Sequence, residues 1–204
     1  MKEILSKRKE AERQKRVGRI LRASRKLFLK KGYTNTTMRD VCREAALSTG
    51  AVYFYFNGKD EIYASICEET FRLLLGMFRE AHSDALAPLD NLIAMKDAYL
   101  AFYTDHYDRW VMLCNFRTVE LPDVLLHRLE ELDAQGLALL YETVDALLQE
   151  KGLSQSYDCR EVSVALWASV EGLLTLHHHG QLVHVDKTLE EMVDMQHRIF
   201  IQGL

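Results

Sequence analysis

The chain has only four cysteines, Cys42, Cys67, Cys114 and Cys159. They lie too far apart for a C-x-x-C metal pair or for the disulfide framework of a small secreted domain, so a reducing cytoplasm is the expected home. Proline occurs twice, at Pro88 and Pro122, which leaves long stretches free to stay helical. No run approaches the roughly 18 uncharged apolar residues that a bilayer span needs, and the densely charged start lacks the apolar segment of a secretion signal. Neither membrane insertion nor export is expected. A Gly-rich phosphate loop, a G-x-S-x-G elbow and an H-E-x-x-H motif are all missing, so no enzyme and no cofactor are expected. Strand-like alternation and internal repeats are missing too, which predicts an all-α fold of dissimilar helices. His177, His178 and His179 with His184 are the one tempting metal cluster. Adjacent helical residues point in different directions, so a solvated loop is expected and no metal.

What is present is a division of charge. Residues 1–60 hold 16 Lys+Arg against 6 Asp+Glu, a net of +10, whereas residues 61–204 hold 10 against 24, a net of −14. Concentrated positive charge attracts a phosphate backbone that the acidic remainder would repel, so one end of the chain is the end for nucleic acid. A solvated face is the bland alternative for a basic run by itself. Residues 1–16 carry charge on all sides and are expected as a basic arm, either a frayed helix or disordered. Such an arm is a solvated tail or reaches into a minor groove. From Val17, the stripe Val17, Ile20, Leu21, Ser24, Leu27, Phe28 and Lys31 marks a helix that Gly32 ends.

The stretch over residues 36–59, TTMRDVCREAALSTGAVYFYFNGK, is the most informative. Met38, Val41, Cys42 and Ala45 share one helical face, and Thr37 with Asp40 forms a capping-box pattern at its start. Ser48 offers a second N-cap before the small residues Thr49, Gly50, Ala51 and Val52. Tyr53, Phe54, Tyr55 and Phe56 follow, and Asn57 with Gly58 predicts a break, with Asn57 capping the next helix. Two short helices joined by a tight turn make a helix-turn-helix, whose second helix fits the DNA major groove. On that reading Arg39, Thr49, Gly50 and Ala51 face base edges, Thr37, Tyr53, Tyr55 and Lys59 hold phosphates, and Ser48 belongs to the same DNA-binding set. Arg39 is expected to supply much of the guanine reading, because no long polar side chain lies between Ser48 and Val52.

These residues resemble the TetR family of bacterial transcriptional regulators. The resemblance rests on Thr36 and Thr37, Arg39, the small-residue run over 48–52, and the spacing of Tyr53, Tyr55, Phe56 and Lys59. It is close over roughly the first third of the chain. The family usually has Gly where this chain has Ala46, which implies mild strain or a slightly different turn. The resemblance implies a homodimeric repressor, released from a palindromic operator in double-stranded DNA by a small-molecule effector. The expected organisation is the arm over 1–16, a three-helix helix-turn-helix DNA-binding domain over 17–62, and a helical bundle for effector binding and dimerisation over 63–204. A helical binding or enzymatic protein whose basic end contacts something else is the competing class, and salt-dependent binding to promoter DNA separates the two.

Further helices are expected at about 59–85, 88–107, 108–119, 122–151, 158–179 and 187–202. Aromatic residues crowd two consecutive segments. Core packing is one reading of them. The other is an effector pocket lined by Phe102, Tyr103, Trp110, Phe116 and Trp167, with His106 and Arg117 as polar anchors. The last two helices each carry an apolar stripe that can close the chain's own core. The resemblance implies instead a four-helix bundle with a second copy, through Leu166, Val170, Leu173, Met192 and Ile199, which also suits two recognition helices about 34 Å apart.

Overall fold

The computed structural model describes residues 2–203, and these contain nine α-helices and no strand. The helices are α1 (Lys2–Lys31), α2 (Met38–Glu44), α3 (Thr49–Tyr53), α4 (Lys59–Ala81), α5 (Pro88–Asp105), α6 (Tyr107–Cys114), α7 (Asp123–Glu150), α8 (Cys159–His178) and α9 (Leu189–Gly203). A single 3-10 turn, Phe116–Thr118, follows α6. The all-α expectation therefore holds, and the helix breaks fall at the anticipated glycines and prolines. Gly32, Gly152 and Gly180 take positive φ at the ends of α1, α7 and α8, a conformation that a side chain disfavours. Residues 2–16, expected as an arm, continue α1 without a break, and their side chains from Lys7 onward are exposed.

Two compact units divide the chain, and their boundary departs from the expected one after residue 62. The first unit combines the chain up to Leu73 with His106–Asp133. Its core is built on Ile20 and Phe28 of α1, Val41 of α2, Val52 of α3, Ile62 and Ile66 of α4, and Met112, Phe116 and Leu129 from the later segment. Full burial of a residue such as Leu129 contributes about 1.5–3 kcal/mol, which is why α6 and the start of α7 belong with the helix-turn-helix. Polar contacts fix the same arrangement. The Tyr63 hydroxyl donates to the Met112 carbonyl at 3.1 Å, and Arg25 pairs with Asp108 at 2.6 Å.

The second unit combines Leu74–Asp105 with the chain from Ala134 onward. Leu92, Val144, Leu147, Leu148, Val162 and Leu166 form its core. Asn91 ties the α4–α5 loop to α5: its side chain accepts from the Ser83 N–H at 2.9 Å and donates to the Ser83 carbonyl at 3.0 Å. Asn115, Pro122 and the 3-10 turn separate α6 from α7 in the first unit, so the expected segment over 108–119 is two short elements rather than one.

Candidate nucleic-acid interface

The start of α2 is fixed by the expected capping box. The Thr37 hydroxyl accepts from the Asp40 N–H at 3.2 Å and donates to the Asp40 carboxylate at 2.9 Å, while the Thr37 N–H donates to that carboxylate at 3.2 Å. Lys31 and Arg43 also reach Asp40, at 3.1 and 2.6 Å. The Thr37 hydroxyl and backbone N–H, aided by Lys31, hold the Asp40 carboxyl down to about 2. On the adjacent turn Lys26 pairs with Glu44 at 2.6 Å, so α1 grips α2 near both ends.

The helix ends in a Schellman motif. Leu47 N–H donates to the Cys42 carbonyl at 3.0 Å and Ala46 N–H to the Arg43 carbonyl at 3.1 Å. Such a turn requires a left-handed residue, and Ala46 supplies it with φ 47°, the single positive φ at a non-glycine residue among those described. Of the two alternatives read from the sequence, mild strain is the one present. The Arg19 guanidinium donates to the Ala46 carbonyl at 3.0 Å and braces the turn.

The second helix starts at its own cap, where the Ser48 hydroxyl accepts from the Ala51 N–H at 3.2 Å. Val52 is fully buried and Phe56 nearly so, which anchors α3 from beneath. Thr49, Gly50, Tyr53 and Phe54 face solvent, and Ala51 is half-buried. Arg39 on α2 is exposed and makes no hydrogen bond or ion pair among the described residues.

Several expected contacts have work inside the protein. Lys59 donates to the carbonyls of Tyr33 at 3.0 Å and Thr34 at 3.2 Å, and its ammonium lies 4.4 Å from the Tyr33 ring centre. Two of its three donors thus close the α1–α2 connection before any phosphate arrives. Tyr33 also donates to Asp60, and burial together with that carboxylate pushes its phenol upward. Asn57 does not cap α4 with its own oxygen; its backbone and side-chain N–H groups donate to Glu61 at 2.7 and 3.0 Å. Tyr55 is half-buried and lies near Arg16, whose guanidinium Glu12 holds in its charged form. Phe54, absent from the expected set, is 79% exposed, and only its place between Tyr53 and Tyr55 in the sequence hints at this.

The seven residues expected around an effector are drawn from both units. Phe102, Tyr103 and Trp167 belong to the second unit, whereas His106, Trp110, Phe116 and Arg117 belong to the first. The helical phase breaks at His106, with φ −127° and ψ 36°, so the aromatic stripe of α5 does not continue into α6. Phe116 packs edge-on against Phe71 at 5.5 Å within the first core, and Trp110 is buried against Tyr107. Arg117 is no free anchor: it pairs with Glu130 at 2.9 Å and Asp133 at 3.1 Å. Burial pushes the Asp133 carboxyl upward, against the pull of that guanidinium. A cleft of about 840 Å³ does occur in the first unit, lined by Phe28, Tyr33, Lys59, Tyr63, Met112 and their neighbours, none of them expected there.

In the second unit the polar groups beside the α5 aromatics were not foreseen. The Tyr103 hydroxyl is 2.7 Å from His177 Nδ1, and the Tyr99 hydroxyl donates to Glu171 at 2.5 Å. His177 is therefore engaged with α5, while the His178 and His179 rings lie edge-on at 4.8 Å. The expected dimer residues also divide. Leu166 and Val170 are buried within the chain's own second unit and so are not available to a second copy, while Leu173 and Met192 are half-buried and Ile199 is 63% exposed. A 3.6-residue period marks an apolar face but not what covers it.

Among the described residues no helix is long and apolar enough to cross a membrane. Comparison with known proteins places this geometry. The HTH-type transcriptional regulator TtgR of Pseudomonas putida is 23% identical over 182 residues, covering 82% of each chain. YerO of Bacillus subtilis, also an HTH-type transcriptional regulator, is 25% identical over 154 residues, which span 68% of this chain and 53% of that protein. The crystal structure of AibR in complex with isovaleryl coenzyme A and operator DNA superposes with a TM-score of 0.70 at 16% identity, covering 90% of this chain and 97% of that one. Residues 20–66 match the bacterial regulatory proteins of the tetR family, and residues 92–198, more than half the chain, match the tetracyclin repressor-like C-terminal domain. The chain belongs to the TetR family of helix-turn-helix transcriptional regulators.

Proposed function

We propose that this regulator is a cytoplasmic homodimeric repressor, without catalytic activity, that binds a palindromic operator through α2 and α3 and leaves it when a small molecule occupies the second unit. The observation that carries the reading is Arg39: an exposed guanidinium with no partner among the described residues, beside a helix that opens with the small residues Thr49, Gly50 and Ala51. Arginine in that position suits bidentate contact with the O6 and N7 acceptors of guanine. Thr49, Gly50 and Ala51 let the backbone approach closely, and Ser48, Tyr53 and Tyr55 flank them as candidate phosphate contacts. AibR, a fold neighbour, has been solved with both an acyl coenzyme A and operator DNA, which supports the pairing of DNA and small-molecule sites.

The effector site contracts to the second unit, around Phe102, Tyr103 and Trp167, with the Tyr103–His177 and Tyr99–Glu171 pairs as its polar groups. Apolar walls with a few placed polar groups suit a small organic ligand. The dimer face shifts outward on the last two helices. Val164, Ala165, Ala168, Gly172 and Leu176 of α8 with Met195 and Ile199 of α9 are all exposed, and these apolar residues recur at helical spacing.

Selection of binding sites from random duplex DNA tests the reading. Wild type should enrich an inverted repeat containing guanine, with affinity falling steeply with salt. Arg39→Ala should lose about 1–3 kcal/mol at the guanine position while keeping its fold. Enrichment of no sequence would refute the proposal. For the effector, linkage requires that saturating operator weaken its binding by the same factor by which it weakens operator binding, typically 5- to 150-fold.

A further inference from the structure

The outward face of α3 carries a residue that the guanine reading leaves unused. Phe54 is the C-cap of α3, its N–H donating to the Gly50 carbonyl at 3.0 Å, so its backbone is part of the helix rather than of a loose loop. It is 79% exposed, more than any other large apolar side chain among the described residues. Its ring meets Tyr55 edge-on, with centroids 5.0 Å apart and planes at 88°, which limits where it can turn. Gly50, four residues earlier, shares its helical face and adds no side chain; a Cβ there would meet nothing within 4 Å. The face is therefore open at Gly50 and apolar at Phe54.

A phenyl ring makes no hydrogen bond to a base edge or a phosphate, yet here it sits on the helix that a strongly basic segment presents to DNA. The major groove offers one apolar group, the 5-methyl of thymine. We infer that Phe54 is a specificity-determining residue that packs against a thymine methyl, so that α3 selects thymine by apolar contact while Arg39 on α2 selects guanine by hydrogen bonds. The inference rests on the DNA-binding reading above and adds the base that α3 recognises.

The test replaces thymine by uracil, one position at a time, in the operator recovered from random DNA. This removes only the methyl and keeps every hydrogen-bonding group. Wild type should lose roughly 3- to 10-fold in affinity at one position per half-site. Phe54→Ala should bind the thymine operator about as weakly as wild type binds that uracil operator, and should show no further loss on the uracil form. Phe54→Leu should retain part of the discrimination, and both variants should melt like wild type, since the ring is exposed. A wild type indifferent to uracil at every position would overturn the inference, as would a Phe54→Ala protein that keeps the full uracil penalty or weakens on all sequences alike. Failure to recover any operator would instead bring down the DNA-binding reading itself.

Discussion

Ala46 offers a test of how the helix-turn-helix is built. Four residues among those described have positive φ: Gly32, Gly152, Gly180 and Ala46. Gly152 and Gly180 close their helices as Ala46 closes α2. Leu153 N–H donates to Leu148 and Gly152 N–H to Gln149, and Gln181 N–H donates to Leu176 and Gly180 N–H to His177. The turn is the same, and only the residue in its left-handed position differs. An L side chain in that conformation costs about 1–2 kcal/mol. Replacing it with glycine removes that strain but gives back about 0.4–1 kcal/mol, because the unfolded chain gains freedom. Ala46→Gly should therefore stabilise the protein by about 0.5–1 kcal/mol, a rise in melting temperature of roughly 1–4 °C for a chain of this length.

The neighbouring position and the other helix ends supply controls of opposite sign. Ala45 has φ −73° and is almost fully buried, so Ala45→Gly should destabilise by about 0.5–1 kcal/mol or more through lost helix propensity and a lost methyl contact. A Cβ at Gly152 or Gly180 would meet nothing within 4 Å, so Gly180→Ala isolates the backbone cost and should lower stability by about 1 kcal/mol. Thermal and urea unfolding of the four proteins measure all of this. An Ala46→Gly protein that melts at or below wild type would refute the argument, and so would Ala45→Gly and Ala46→Gly shifting in the same direction.

Lys59→Ala should lower stability by about 1.5–3 kcal/mol in urea unfolding without DNA, because two backbone carbonyls lose a charged donor; an unchanged midpoint would leave Lys59 with a DNA role alone. Ile199→Glu should convert dimer to monomer in sedimentation without unfolding the chain, since the side chain is exposed in one copy; a persistent dimer would place the interface elsewhere. His197 is buried, and neither ring nitrogen has a hydrogen-bond partner among the described residues. Burial first, then nearby Lys96, depresses its pKa below 6.5, with Asp97 and Asp194 opposing. The unfolded chain then takes up a proton near pH 6.5 that the folded chain refuses, so stability should fall as pH drops below about 6.5 and level off once the folded imidazole also titrates. His197→Leu should flatten that slope in urea titrations at pH 7.5 and 5.5, and an equal slope in both proteins would show that other groups set it.

What was legible in the sequence was what local chemistry decides. Thr37 with Asp40 three residues on, Ser48 before a run of small residues, and Gly32 after a helical stripe each satisfy backbone groups within a few positions of themselves, so a one-dimensional reading reaches them. The helix-turn-helix lies wholly within that range. Long-range partners were not legible. The bonds of Lys59 reach back 25 and 26 residues, and nothing at position 59 distinguishes a lysine that holds Tyr33 and Thr34 from one that holds a phosphate. Spacing along residues 99–117 also cannot show the break in helical phase at His106, after which α6 belongs to the first unit and α5 to the second. Leu166 and Ile199 likewise lie on apolar stripes of similar appearance, yet one is buried in its own chain and the other is open.

The same distinction between local and long-range chemistry changes what the basic end means. Its net charge of +10 over residues 1–60 suggests a broad phosphate-binding surface. Yet Arg19 braces Ala46, Arg25 pairs with Asp108, Lys26 with Glu44, Lys31 and Arg43 with Asp40, and Lys59 closes the α1–α2 connection. Arg19, Lys26 and Lys31 hold α2 and its closing turn against α1, and a charge already paired releases fewer counterions when DNA binds. Arg39 is exposed with nothing to hold, and unlike the exposed Arg22 and Lys30 of α1 it lies on α2. Charges committed within the protein add less to general attraction to phosphate, which leaves more of the discrimination to the handful of groups that meet base edges. The strained turn at Ala46 belongs to that economy, since it fixes the angle at which Arg39, Gly50 and Phe54 are presented together.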